Sequence, residues 1–212
     1  MTRLVVRHLL LAATLLGCGG GGGDKPDAMP KSCPIGDLTA PAELEIVNLG
    51  SDQATISKTQ AQASVPLIPP PQGGWIILIG ARARNLDGCR LNLTTALVDA
   101  CTGEILSIDK RPTLLEVGAD GWGVSSVTTF GNLPVCPVLT ATRDLHEVPY
   151  IVNVLVEDAS GKQASASITI VPTCGDEPSR CRCECARDYT TGQSCDLPPV
   201  DAGAPETCVD AP

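Results

Sequence analysis

The stretch YIVNVLVEDASGKQASASITI, residues 150–170, decides the fold. Its two halves alternate apolar and polar side chains with a period of two, the pattern of half-buried strands rather than of a helix. Tyr150, Val152, Val154 and Val156 fall on one face of the first half, and Ala164, Ala166, Ile168 and Ile170 on one face of the second. Asp158 to Gly161 supplies the turn, since glycine takes a positive φ without steric cost. The pair reads as a β-hairpin.

Outward from the hairpin, the same period recurs. In WIILIGARAR (75–84), Trp75, Ile77, Ile79, Ala81 and Ala83 face one way, and Arg82 and Arg84 the other. It follows Pro69-Pro70-Pro71 and Gly73-Gly74, which no regular element tolerates. In CRLNLTTALVD (89–99), Leu91, Leu93, Thr95 and Leu97 point inward, while Arg90, Asn92 and Thr94 point outward. Thr102-Gly103 turns the chain into EILSIDK, and residues 113–117 and 123–130 carry weaker alternation. No amphipathic helix stands out between residues 42 and 172. Short strands separated by turn signals predict an all-β, antiparallel sandwich over residues 41–172.

The hairpin resembles the closing F and G strands of bacterial immunoglobulin-like domains of the PKD, cadherin-like and fibronectin-III-like kinds. The layout, with PQGGW (71–75) opening a strand, is similar to envelope lipoproteins carrying one such domain. The resemblance implies an Ig-like antiparallel β-sandwich with a disulfide-rich, irregular C-terminal tail.

The flanks differ from this segment. Residues 18–40 read as a Gly/Pro linker, beginning with Gly19 to Gly23. Residues 173–212 lose apolar periodicity and turn to cysteine, proline and charge, so they need cross-links to be ordered. Ahead of the linker, Arg3 and Arg7 precede an apolar run from Leu9 to Leu16. That is the pattern of a secretory signal peptide, and the run falls short of the roughly 20 residues of a membrane span. The segment Leu15-Leu16-Gly17-Cys18 resembles the bacterial lipobox, which implies cleavage after residue 17, acylation of Cys18 and a lipid bilayer as partner. In the same family terms, Gly19 in place of Asp favours the outer membrane.

Loss of residues 1–17 removes two arginines and no acids, so the 15 basic side chains become about 13 against 24 acidic ones, a net charge near −11. Nucleic acid is excluded as a partner, because its binding is dominated by phosphate neutralisation. The few aromatics, Trp75, Trp122, Phe130, Tyr150 and Tyr189, do not make a stacking platform for bases or sugars.

Eleven cysteines in an exported chain predict disulfides. With Cys18 acylated, Cys33, Cys89, Cys101, Cys136, Cys174, Cys181, Cys183, Cys185, Cys195 and Cys208 remain, an even number. Cys89 and Cys101 bracket one strand about 40 Å long, far beyond the roughly 7 Å that a bridge allows, so they do not pair with each other. The Ig-like resemblance implies Cys33–Cys89 at one end of the sandwich and Cys101–Cys136 at the other, with Cys136–Cys174 as the rival pairing. Six cysteines then remain in the tail. Cys181-x-Cys183-x-Cys185 also offers thiolates to zinc or copper(I), but the C-x₂-C spacing is absent and an oxidising compartment favours bridges.

Little chemistry is legible. His146, in RDLHEVP beside Asp144 and Glu147, is the one histidine downstream of the lipobox. A lone histidine in an acidic loop is more often solvated than catalytic. No G-x-S-x-G, H-E-x-x-H or Walker loop occurs, and GADGWG (118–123) opens no helix. Asn85, Asp87, Glu157 and Asp158 are placed at one end by the resemblance, where their oxygens would suit Ca²⁺ as in cadherin-like domains. The same residue types are ordinary turn formers. The expectation is a non-enzymatic envelope lipoprotein without a cofactor, serving as a binding, structural or adhesion module for an envelope or extracellular protein. A calcium-dependent adhesion module and an accessory subunit of an envelope hydrolase are the alternatives.

Overall fold

The computed structural model describes residues 32–195. Cys18, most of the linker and Cys208 lie outside the described residues. The chain runs through β1 (Pro34–Ile35), β2 (Glu43–Leu49), β3 (Ile56–Lys58), β4 (Ala63–Leu67), β5 (Trp75–Arg84), β6 (Leu86–Asp87) and β7 (Leu91–Asp99). It continues through β8 (Ile105–Thr113), β9 (Leu115–Val117), β10 (Gly123–Ser125), β11 (Gly131–Cys136), β12 (Tyr150–Asp158) and β13 (Gln163–Cys174), and then a short helix, α1 (Pro178–Glu184).

Two sheets make the sandwich. The first has six strands in the order β3-β2-β5-β10-β9, with β11 also on β5. β5 is its spine: β2 lies along one edge, and β10 and β11 follow each other along the opposite edge. The second has five strands in the order β4-β13-β12-β7-β8, antiparallel except for the parallel pair β4–β13. The hairpin read from the sequence is β12–β13, with Tyr150 opposite Ile170 and Val156 opposite Ala164. Its turn holds Gly161 at φ 84°.

The core lies between the sheets. Ile77, Ile79, Ala81 and Ala83 of β5 meet Leu93 and Leu97 of β7, and Val152, Val154 and Val156 of β12, all buried. Each such valine, leucine or isoleucine contributes about 1.5–3 kcal/mol on burial. A smaller cluster of Val47, Leu49, Ile68, Leu78 and Phe130 packs on the other side of the first sheet. Gly80 makes room for it, since a Cβ there would lie 2.7 Å from the Phe130 ring.

The fold reaches past the expected boundaries of 41 and 172. Ile35 is buried in the core, and β1 pairs with β6. The tail expected to be irregular contains α1, whose Cys181, with neighbouring Cys185, is buried in the same core. β5 therefore runs from a helix pole, at Trp75, to an amino-terminal pole, at Arg84. Ten extended residues separate the poles by about 30 Å.

Candidate functional site

The features that concentrate cysteines, buried charge and polar side chains lie at the two poles. At the helix pole, Pro178 starts α1, where a missing N–H costs nothing. Positions 181 and 185 are four apart and so share one helix face, while 183 projects from another. Cys181 is bridged to Cys174, and Cys185 to Cys136, while Cys183 reaches out to Cys195. The spacing that suggested metal ligation is thus a helical periodicity that fastens one face to the sandwich. The sulfurs of Cys174, Cys181 and Cys185 lie within 4.8 Å of one another, but all three are held in disulfides and are not thiolate donors.

Polar contacts complete the clamp. Trp75 Nε1 donates to Glu184 Oε2 at 2.8 Å, and Arg180 Nε donates to Glu184 Oε1 at 2.8 Å. Leu145 N–H donates to the Cys185 carbonyl at 2.8 Å, Arg187 N–H to Asp144 Oδ1 at 3.0 Å, and Arg182 Nη2 to Glu147 Oε1 at 2.8 Å. Beneath them Arg143 is buried. Its Nε donates to Asp99 Oδ2 at 3.1 Å, its Nη2 to the Pro149 carbonyl, and its guanidinium carbon lies 4.5 Å from the Tyr150 ring centre. Tyr150 Oη donates to the Asp144 carbonyl at 2.8 Å, and burial pushes its phenol above the usual range.

His146 is placed here too, but not in solvent. It is 4 % exposed, and its Nδ1 has no hydrogen-bond partner. Burial pushes the imidazole pKa down, against the upward pull of Glu147 and Asp144. A buried ring with little exposed surface presents no base to a substrate, so the geometry favours a packing role.

The pairings inferred for this pole are corrected. Cys136 joins neither Cys101 nor Cys174. It joins Cys185, because β11 places it opposite Trp75, the residue that α1 covers. Cys174 is taken by Cys181, seven residues on. Cys101 is itself disulfide-bonded.

At the amino-terminal pole the expected Cys33–Cys89 bridge is present, with an S–S distance of 2.08 Å. Both sulfur residues are exposed. Asp87 Oδ1 accepts from the N–H of Cys33 and of Cys89, each at 3.0 Å, and these bonds hold its carboxyl below the usual range. Asp158 Oδ1 accepts from Ser160 N–H, Ser160 Oγ and Lys162 N–H, and Oδ2 from Asp87 N–H. Burial pushes Asp158 up, but these donors outweigh it and lower its pKa. Asn85, at φ 64°, accepts from Asp37 N–H and donates to the Pro41 carbonyl.

Of the four residues considered for calcium, Asp87 and Asp158 meet, while Asn85 is bonded to Asp37 and Pro41, and the side-chain oxygens of all three are turned to N–H donors. Glu157 does not join them. It neighbours Asp158 on one strand and so faces the other side of the sheet, where it accepts from Gln163 Nε2. Turn formation accounts for these residues.

The sequence reading missed an arrangement on the outer face of the first sheet. Trp122 sits between Arg82 and Arg84, whose guanidinium carbons are 4.3 Å and 4.6 Å from its ring centre. Glu45 and Asp120 bind Arg82, and Glu43 binds Arg84. Alternation placed both arginines outward but gave no sign of Trp122, which arrives from the β9–β10 turn.

No protein-family model matches the chain, and no curated protein matches it.

Proposed function

We propose that this chain is an exported lipoprotein of the bacterial cell envelope that presents a cross-linked, Ig-like sandwich to an envelope or extracellular protein, without catalysis of its own. One observation carries the reading: the described residues hold the bridges Cys33–Cys89, Cys136–Cys185, Cys174–Cys181 and Cys183–Cys195. So many structural disulfides form and persist in oxidising compartments, not in a reducing cytosol. The lipobox-like Leu15-Leu16-Gly17-Cys18 supplies the export route and the anchor. A diacylglycerol on Cys18 brings two chains, enough for stable attachment where one chain is marginal.

The strand order supports the Ig-like classification. β4 lies parallel to β13 at the edge of the β13-β12-β7-β8 layer, and β2, β5 and β11 form the facing layer. Tyr150, at the start of β12, bonds back to the carbonyl of Asp144. That contact is similar to the tyrosine corner of such domains. Partner contacts are assigned to the helix pole, where the bridges at Cys181, Cys183 and Cys185 hold an exposed surface that includes Glu147, Glu177 and Arg180.

Mass spectrometry of the native N-terminal peptide tests the anchor. A diacylated Cys18 at the mature N-terminus is expected, and retention of residues 1–17 or an unmodified Cys18 overturns the reading. Cross-linking in intact cells from cysteine-free positions on the helix pole, such as Arg180, tests the display surface. Capture there and none from Lys58 on the first sheet is expected.

A further inference from the structure

β1 enters the core with one side chain. Ile35 is 1 % exposed and belongs to the same buried cluster as Leu86 and Leu115. Two glycines floor its socket: a Cβ on Gly88 would lie 2.8 Å from Ile35 Cδ1, and one on Gly123 would lie 3.1 Å from it. A close-packed interior leaves no room for Ile35 and a larger residue at both positions. Yet β1 and β6 are two residues each and form a sheet of their own. So short a ladder does not hold a strand unaided.

The covalent tie is Cys33–Cys89, one residue before β1 and two after β6. Both its cysteines are exposed, whereas Cys136, Cys181 and Cys185 are buried. We propose that Cys33–Cys89 is a redox latch: reducing it frees residues 33–35 and withdraws Ile35 from its socket, while the bridges Cys136–Cys185 and Cys174–Cys181 stay closed.

The hydrogen bonds fix where the movement stops. Gly36 stands at φ 73°, and a Cβ there would lie 2.6 Å from Asn85 Oδ1. Beyond it, Asp37 N–H donates to Asn85 Oδ1 at 3.0 Å, and Lys162 Nζ donates to the Leu38 and Ala40 carbonyls at 2.9 Å and 2.7 Å. None of these bonds involves the bridge. Before Gly36, Asn85 N–H donates to the Ile35 carbonyl at 2.6 Å and Gly88 N–H to the Cys33 carbonyl at 2.8 Å, while Cys33 N–H donates to Asp87 Oδ1. Gly36 is therefore the hinge, with its far side held independently of the latch.

The step is a thiol–disulfide exchange. A thiolate of a dithiol reductant attacks one exposed sulfur, forms a mixed disulfide and closes to the reductant's own disulfide. The reductant gives up two electrons and two protons, and Cys33 and Cys89 take them up as thiols. Access decides which bridge reacts, and the buried sulfurs of the helix pole offer the thiolate no approach. Opening leaves an apolar socket at the amino-terminal pole, between Leu86 and Leu115 and over the two glycines.

A mutant cycle on the full chain tests the latch. Ile35→Ala should lower the melting temperature of the native protein, as loss of a buried isoleucine does. In a variant carrying Cys33→Ser and Cys89→Ser it should leave the melting temperature almost unchanged, because Ile35 has already left the core. An equal drop in both backgrounds overturns the proposal. Amide exchange gives a second measurement on native protein treated with graded dithiol. Alkylation should label Cys33 and Cys89 before Cys136, Cys181 and Cys185. At that stage protection at Asn85 and Gly88, which donate to β1, should fall at least about tenfold further than at Val154 in the middle of β12. Labelling of the buried cysteines first, or an equal loss of protection at all three amides, overturns it.

Discussion

The two poles are closed by different means. At the amino-terminal pole the bridge is exposed, and the loops are held by carboxylates that accept N–H groups, an exposed Asp37, a half-buried Asp87 and a buried Asp158. At the helix pole Cys136, Cys181 and Cys185 are buried, and under them lie a buried ion pair and a buried histidine. Solvent reaches the bridge and two of the three carboxylates at the first pole, and does not reach the Cys136, Cys181 and Cys185 sulfurs or the Arg143–Asp99 pair at the second. That difference predicts that the helix pole yields the larger losses on mutation, and that the poles fail in different pH ranges.

The largest effect is expected at Arg143. Removing it leaves Asp99 buried without its cation, and both side chains are 5 % exposed. Breaking such a pair costs about 3–5 kcal/mol, whereas replacing both partners by apolar residues is often close to neutral. Urea unfolding should show Arg143→Ala in that range and Arg143→Met with Asp99→Leu recovering most of it. An Arg143→Ala loss below about 1 kcal/mol, the scale of a surface pair, would erase the distinction between the poles.

Next in size are the bridges. Cys33–Cys89 closes a separation of 56 residues and Cys136–Cys185 one of 49. Chain entropy therefore assigns both about 4 kcal/mol. The pair Cys136→Ala and Cys185→Ala also empties buried volume, so it should cost about 1 kcal/mol more than Cys33→Ala with Cys89→Ala. Equal losses in urea would mean that both bridges act only through the unfolded chain.

How much of this was legible depended on how each element is buried. β5, β7, β12 and β13 each bury one face against the core, so alternation disclosed them and their inward residues. β2 did not show, because Ile46 faces the main core while Val47 and Leu49 are buried in the smaller cluster behind the sheet. With both faces covered, the alternation disappears. β4 carries Pro66, which argues against a strand except at an edge, and β4 is an edge strand. The helix was missed because seven residues are too few to reveal a 3.6-residue period, and its stability comes from cross-links. That omission also misdirected the pairing: with no element to cover Trp75, nothing directed Cys136 to Cys185 rather than to Cys101 or Cys174. Cys33–Cys89 was legible because both cysteines flank strands whose order the hairpin resemblance supplied.

The pH ranges give a third, smaller contrast. His146 is held below its ordinary value by burial, with Glu147 and Asp144 opposing and Arg182 reinforcing. The unfolded chain takes up a proton near pH 6.5, before the folded one does. Stability is therefore complete above that pH and falls as pH drops below it, by at most about 1.4 kcal/mol per unit. The loss should stop growing once the folded imidazole titrates, and His146→Gln should remove the slope. The lowered carboxylates of the amino-terminal pole act elsewhere. Their contribution is present above about pH 4 and is lost as pH falls through their folded values. Thermal melts from pH 8 to pH 3 should separate two declines, only the upper of which responds to His146→Gln.

The smallest effect tests the loops of the amino-terminal pole directly. A calcium site needs several oxygens with unused lone pairs directed at one point. Here Asp158 spends both oxygens on N–H and O–H donors, Asp87 Oδ1 is shared between Cys33 and Cys89, and Asn85 Oδ1 is taken by Asp37. Each donor would have to be displaced before a cation could bind, and Lys162, whose ammonium bonds the Leu38 and Ala40 carbonyls, adds positive charge beside the site. Millimolar calcium or EDTA should therefore leave the melting temperature unchanged. Lys162→Ala should lower it slightly, by the worth of an exposed hydrogen-bonded contact, about 1 kcal/mol or less. A rise in melting temperature with calcium that is abolished by Asp158→Asn would show that this pole rearranges around a cation, and that its carboxylates are ligands rather than loop braces.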